Sequence, residues 1–219
     1  MGRDIIDVYD RSIFEMRNVF TAEECQTFID YHEQSPNKHR GGIFSGESTT
    51  ESYSGDLKRS IDVNLNNTQN ISFKKYIEEI HKVSKEYRRH IRDINRKCGM
   101  RIDDMRDFSY PKIQRTDKGD FFNWHSDYCG KRLIAIIVYL NDIDEENGGS
   151  TEFNSGRKVQ PETGKVLMFP TTDLHLHRGN TILNGHSKYI ISGFILDPNI
   201  ETQTKNITSH TPKFPFIFK

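Results

Sequence analysis

His125-Ser126-Asp127 is the first place along the chain where residue types and spacing could do chemistry. The surrounding residues alternate as a strand does, and residues i and i+2 of a strand point to one face. The imidazole and the carboxylate therefore converge. A further histidine on a neighbouring strand would complete a two-histidine, one-carboxylate facial triad, which leaves positions of an Fe(II) ion open. Downstream, His175-Leu176-His177 offers two candidates on one expected strand face. An isolated His-x-Asp pair is commonly a surface pair, so the context matters. Asp120-Phe121-Phe122-Asn123-Trp124 leads into His125 after a turn at Gly119. Further on, Lys188 opens the apolar run Tyr189–Ile195. Such a lysine is costly unless its ammonium meets an anion or reaches water along its stem.

These residues need a scaffold. From Phe108 onward the pattern has period two. Short runs fall near Tyr110–Arg115, Phe121–Asp127, Leu133–Leu140, Ser150–Phe153, Val166–Phe169 and Tyr189–Leu196. Turn signals separate them at Asp117-Lys118-Gly119, Asn147-Gly148-Gly149, Glu162-Thr163-Gly164 and Asn184-Gly185. Many short strands so spaced predict a sandwich, barrel or jelly roll. The first half reads as helical. Thr21-Ala22-Glu23-Glu24 is a capping box, with Phe20 and Cys25 spaced as a hydrophobic staple. A longer helix is expected from Ser72, as cap, to Cys98, stopped by Gly99, with Phe73, Tyr76, Ile80, Val83, Tyr87 and Ile91 among its apolar positions. Residues 41–70 read as loops with one alternating piece, Arg59–Leu65, and could carry substrate contacts. The tail, ending Phe214-Pro215-Phe216-Ile217-Phe218, is expected to dock on the core.

Composition narrows the classes. The 219 residues carry 31 Lys+Arg against 31 Asp+Glu, which removes the basic excess of a dedicated nucleic-acid binder. Mean hydropathy is -0.74 and no run of 18 apolar residues exists, so no membrane association is expected. The start MGRDIIDVYD places acids where a leader has basic residues. Cys25, Cys98 and Cys129 are odd in number and lack a C-x-x-C, which excludes a disulfide scaffold or a Cys-based zinc site. A cytoplasmic location is the expectation. Oligomeric state is not readable. Asp142–Asn147 is faintly like a calcium loop but lacks its Gly and its closing Glu, and reads as a solvated turn.

With these motifs in hand, the chain resembles the 2-oxoglutarate- and Fe(II)-dependent dioxygenases, specifically the prolyl 4-hydroxylase-like branch. The resemblance runs from about Tyr110 to Leu196. It rests on Gly119, His125 and Asp127 in G-x-x-x-x-x-H-x-D order. Tyr139-Leu140-Asn141, Gly148-Gly149, Phe169-Pro170, His177-Arg178-Gly179 and Lys188-Tyr189 follow in register. It implies a double-stranded β-helix, a jelly roll packed by helices: mainly β with N-terminal helices. It implies residues 1–105 as a helical lead-in packed on the core, 106–198 as the dioxygenase core and 199–219 as a tail. His125, Asp127 and His177 would hold Fe(II), and the match to H-x-G favours His177 over His175. Tyr139, Lys188 and Ser192 would bind the co-substrate 2-oxoglutarate, and Phe122 and Phe194 would lie near the substrate. With O2 as the other reactant, the implied chemistry is hydroxylation of a C–H bond with release of succinate and CO2. The implied substrate is most simply a prolyl residue in a peptide or protein. No residue beyond the metal centre would be catalytic. A free amino acid or other small molecule is the alternative substrate, and a non-catalytic jelly-roll binding module the alternative function.

Three departures from the branch stand out. Arg115 and Thr116 occupy places where relatives have Tyr, and Phe122 stands where prolyl hydroxylases often have Tyr. Lys188 lies eleven residues after His177, where ten is commoner. The nucleobase-demethylating branch would want Arg at the Lys188 position and a second Arg where Phe194 stands.

Overall fold

The computed structural model describes residues 11–43, 52–67, 69–95 and 107–197. The expected stop of the long helix at Gly99 and the docking of Phe214–Phe218 lie outside the described residues. Chain order gives β1 (Phe14–Met16), α1 (Ala22–Gln34), β2 (His39–Arg40), β3 (Ile61–Asn64) and α2 (Ile71–Asn95). Then come β4 (Asp107–Phe108), β5 (Lys112–Thr116), β6 (Phe122–His125), β7 (Arg132–Tyr139) and β8 (Thr151–Phe153). The last are β9 (Lys158–Val159), β10 (Val166–Pro170), β11 (His177–Gly179) and β12 (Lys188–Leu196). The larger sheet has eight strands in the order β1-β10-β7-β12-β5-β3-β2, with β4 beside β12. The smaller has four, β6-β11-β8-β9. All these pairings are antiparallel, so the expected jelly roll is borne out.

The central strands are two-faced, and their parity places the site. Ile134, Ile136 and Val138 of β7 join Val166, Met168, Ile191 and Ile195 in one core with α1 and α2. Ala135 and Tyr139, with Leu167 and Phe169, form a second cluster on the other face, against which Ile137, Ile190 and Phe194 pack. Along β12 the same alternation sends Lys188, Ser192 and Phe194 to that inner face.

The helices cover the outer face. The capping box is present: Glu24 N donates to Thr21 Oγ1 at 3.2 Å and Thr21 N to Glu24 Oε2 at 3.0 Å. Phe20 and Cys25 share the core, as the staple requires. In α2, Phe73, Tyr76, Ile80, Val83, Tyr87 and Ile91 are buried as expected, while Lys82 pairs with Glu78 and Glu79 on the outer side. Its cap differs from expectation. The Asn70 Oδ1 accepts from Ser72 N at 2.7 Å and Phe73 N at 3.4 Å, so Asn70 takes the role given to Ser72. An amide oxygen two residues earlier reaches donors that a hydroxyl inside the first turn does not.

Gly193 sets how closely α2 approaches. A Cβ there would lie 2.5 Å from Tyr76 Oη. Gly193→Ala should therefore destabilise the protein by about 1–3 kcal/mol through overpacking. Adding Tyr76→Phe should restore most of the loss. Thermal melts of the two variants check this; an unchanged melt for Gly193→Ala would contradict the tight approach.

Candidate metal centre

The register of β6 and β11 pairs His125 with His177 across the strands. Their rings stand side by side, with centroids 4.1 Å apart. Each Nδ1 faces a backbone carbonyl: Asn123 O at 2.7 Å for His125 and His175 O at 3.1 Å for His177. A carbonyl only accepts, so each Nδ1 carries a proton, which leaves Nε2 as the ring nitrogen that can ligate. Both Nε2 atoms turn toward one carboxylate. His125 Nε2 lies 3.8 Å from Asp127 Oδ1, and His177 Nε2 lies 3.5 Å from Asp127 Oδ2. All three donor atoms fall within 4.8 Å of one another.

Asp127 reaches this point differently from expectation. Strand β6 ends at His125, so Asp127 comes from the loop that follows and not from a shared strand face. Burial, together with the neighbouring His177, pushes His125 down to about 3, which keeps its imidazole neutral and able to ligate. Two imidazoles and one carboxylate, gathered on one side, suit a divalent ion with open positions. The donor set therefore fits Fe(II).

His175 is elsewhere. It ends a 3-10 turn, Asp173–His175, and does not share a strand face with His177. Both its ring nitrogens are engaged, Nδ1 with Thr172 Oγ1 at 2.9 Å and Nε2 with Ser12 Oγ at 2.6 Å. Its carbonyl, by contrast, orients His177.

An inner cavity of about 70 Å³ lies beside the triad. Lys188 lines it and is buried, and its Nζ donates to Gly149 O at 2.9 Å. Burial pulls Lys188 down to about 8. Ser192 and Thr116 also line the cavity, and Thr116 is the cross-strand partner of Lys188. Tyr139 does not line it. Its hydroxyl donates to Thr151 Oγ1 at 2.8 Å, and Thr151 forms that part of the wall. The Phe122 ring stacks on His125 at 3.5 Å between centroids. A second, outer groove of about 490 Å³ is lined by Phe122, His125, Asp127, Ser192 and Phe194, so it meets the inner cavity at His125 and Asp127. Phe194 packs under the Arg132 guanidinium at 3.9 Å.

Sequence reasoning missed Lys58, which lines both spaces. Residues 57–59 pair with the segment around Phe122, a non-local contact with no signature in spacing. From residues 41–70, Gly42, Ile43, Lys58 and Asn64 line the outer groove.

Residues 111–196 match the family model of the 2OG-Fe(II) oxygenase superfamily, which bears out the resemblance read from the motifs. No curated protein matches the chain. Solved structures do. A Pseudomonas putida prolyl-4-hydroxylase is similar with a TM-score of 0.65 at 14% identity, over 88% of this chain and 97% of that one. The prolyl hydroxylase of Trichoplax adhaerens, in complex with a hypoxia inducible factor oxygen degradation domain peptide fragment, gives 0.64 at 12% identity, over 88% and 87%. The viral collagen prolyl hydroxylase of Paramecium Bursaria Chlorella virus-1, in its 2OG complex, gives 0.58 at 18% identity, over 84% and 94%. At such identities the likeness is one of fold.

His177→Ala should lose Fe(II), while His175→Ala should retain most of it, since only the backbone carbonyl of His175 supports the site. Asp127→Glu should turn over about a hundredfold more slowly, because an added methylene misplaces the carboxylate by about an ångström. Metal analysis after anaerobic loading, with succinate assays for the Glu variant, checks both. Iron lost from His175→Ala and kept by His177→Ala would reverse the ligand assignment.

Proposed function

We propose that this 2OG-Fe(II) oxygenase hydroxylates a prolyl residue in a peptide or protein. The superfamily works with Fe(II), 2-oxoglutarate and O2, and the His125–Asp127–His177 donor set suits the metal. Bound there, Fe(II) supplies dioxygen activation coupled to decarboxylation of 2-oxoglutarate, which yields succinate and CO2. The protein supplies binding, orientation and a dry site.

The observation that carries the reading is Lys188. It is a buried cation facing the same cavity as the triad, and its hydrogen-bond partner among the described residues is the neutral carbonyl of Gly149. A buried ammonium without a carboxylate is costly. The far carboxylate of 2-oxoglutarate relieves that cost. Ser192 adds a hydroxyl on the same strand face, and Thr151, held by Tyr139, adds another across the cavity. In this reading Tyr139 acts through Thr151. Ala135, Ile137 and Ile190 line the remainder and exclude water. A binding module without co-substrate has no use for such a lysine.

The substrate side is the outer groove. Its size and its opening onto His125 and Asp127 suit a chain segment lying across the metal, with Phe122 and Phe194 as apolar walls. The similar solved structures are prolyl hydroxylases, one of them with a peptide fragment bound. These support a prolyl target over a free amino acid. A screen of proline-containing peptides and free amino acids, read by succinate release and by gain of one oxygen atom in mass, tests the substrate class. Turnover with free amino acids and none with peptides would overturn the prolyl reading.

Lys188→Ala should raise the apparent 2-oxoglutarate constant about ten- to a hundredfold, from a charge-assisted contact of about 1.5–3 kcal/mol. Iron binding should change far less. In the unaltered protein, 2-oxoglutarate affinity should be flat below pH 8 and weaken above it, because the free ammonium is lost as pH rises through about 8. Titrations of 2-oxoglutarate across pH check both; a constant unmoved by the substitution would reject the role.

A further inference from the structure

The chain is charge-balanced overall, but the walls of its two connected spaces are not. Among the described residues they carry five cations, Lys58, Arg59, Lys112, Arg132 and Lys188, and one carboxylate, Asp127. In the reading above the metal takes Asp127, and 2-oxoglutarate takes Lys188. Lys58 lines both spaces and stands where they join, where a substrate anion would meet it.

Lys58 is the one built into the site. Backbone pairing carries it there: Arg59 N donates to Phe121 O at 2.8 Å and Asn123 N to Leu57 O at 2.7 Å. Its buried ammonium sits 5.2 Å from the centre of the Phe122 ring, the same ring that stacks on His125. It donates to Asp62 Oδ2 at 3.1 Å, and Ser60 Oγ donates to Asp62 Oδ1 at 2.7 Å. Gly41 leaves room for this cluster, since a Cβ there would lie 2.0 Å from Ser60 Oγ and 2.9 Å from Lys58 Cε. A buried ion pair adds little stability once desolvation is counted, so packing alone is a poor reason for one beside the metal centre. An ammonium has three donors, and Asp62 uses one.

We infer that the outer groove takes an acidic peptide, with a Glu or Asp next to the hydroxylated residue, and that Lys58 receives that carboxylate. Asp62 holds the ammonium in place and Phe122 sets its distance from the metal. This rests on the peptide-hydroxylase reading above and narrows it to a substrate class.

The test is equilibrium binding of blocked heptapeptides to protein loaded with Fe(II) and 2-oxoglutarate without oxygen. Three probes differ only around a central proline: Glu-Pro-Glu, Gln-Pro-Gln and Lys-Pro-Lys. The Glu peptide should bind about tenfold or more tighter than the Gln peptide, as one charge-assisted contact allows. The Lys peptide should bind weakest, and added salt should shrink the difference. Lys58→Met alone leaves Asp62 buried and unpaired, so the double variant Lys58→Met/Asp62→Asn keeps the site neutral. It should reduce the Glu preference to about threefold or less. Equal binding of the three peptides, binding of none, or a preference that survives in the double variant would overturn the inference. The 2-oxoglutarate titration of the Lys188→Ala protein is independent of all three outcomes, so the co-substrate site stands or falls separately.

Discussion

The site depends on one register: His125 of β6 opposite His177 of β11. A slip by one residue would send an imidazole to the other face of the sheet. Neighbours hold the register from both sides. Phe153 of β8 pairs with His177 on the far edge of β11, and the ring of Phe169 packs against His177 from the larger sheet at 4.7 Å. Backbone carbonyls then fix which nitrogen of each ring is free. The candidate metal-binding face is thus positioned by the chain's own strand pairing and packing.

The rest of the molecule serves that small sheet. The larger sheet has an apolar outer face under α1 and α2, and an inner face that combines apolar side chains with Lys188 and Ser192. Placing a cation on a central strand is tolerable because the strand opens there and the Gly148-Gly149 turn brings a carbonyl to it. Gly149 adopts φ +70, and a Cβ on it would meet Ile182 at 2.6 Å. The turn therefore needs glycine to pass so near the lysine stem.

Much of this was legible in the sequence where the signal is local. The capping box at Thr21 and the apolar stripe of α2 involve residues three and four apart, and both formed as read. The alternation of β7, β10 and β12 correctly separates helix-facing from cavity-facing residues. Legibility failed where alternation stops. His175 and His177 are two apart, but a 3-10 turn intervenes and their side chains diverge. Asp127 lies beyond its strand and reaches the triad through loop geometry. Tyr139, expected by resemblance to contact the co-substrate, gives its hydroxyl to Thr151. Lys58 and its Asp62–Ser60 support arise from pairing between distant segments, which spacing does not encode.

The central claim is that one cavity holds a divalent iron on His125, Asp127 and His177 and an anionic co-substrate on Lys188. The most direct measurement is the visible spectrum of the folded protein with Fe(II), with and without 2-oxoglutarate, in the absence of oxygen. The account predicts a weak charge-transfer band that appears only when both are present and saturates with one 2-oxoglutarate per iron. A folded, iron-loaded protein whose spectrum does not respond to 2-oxoglutarate would contradict it.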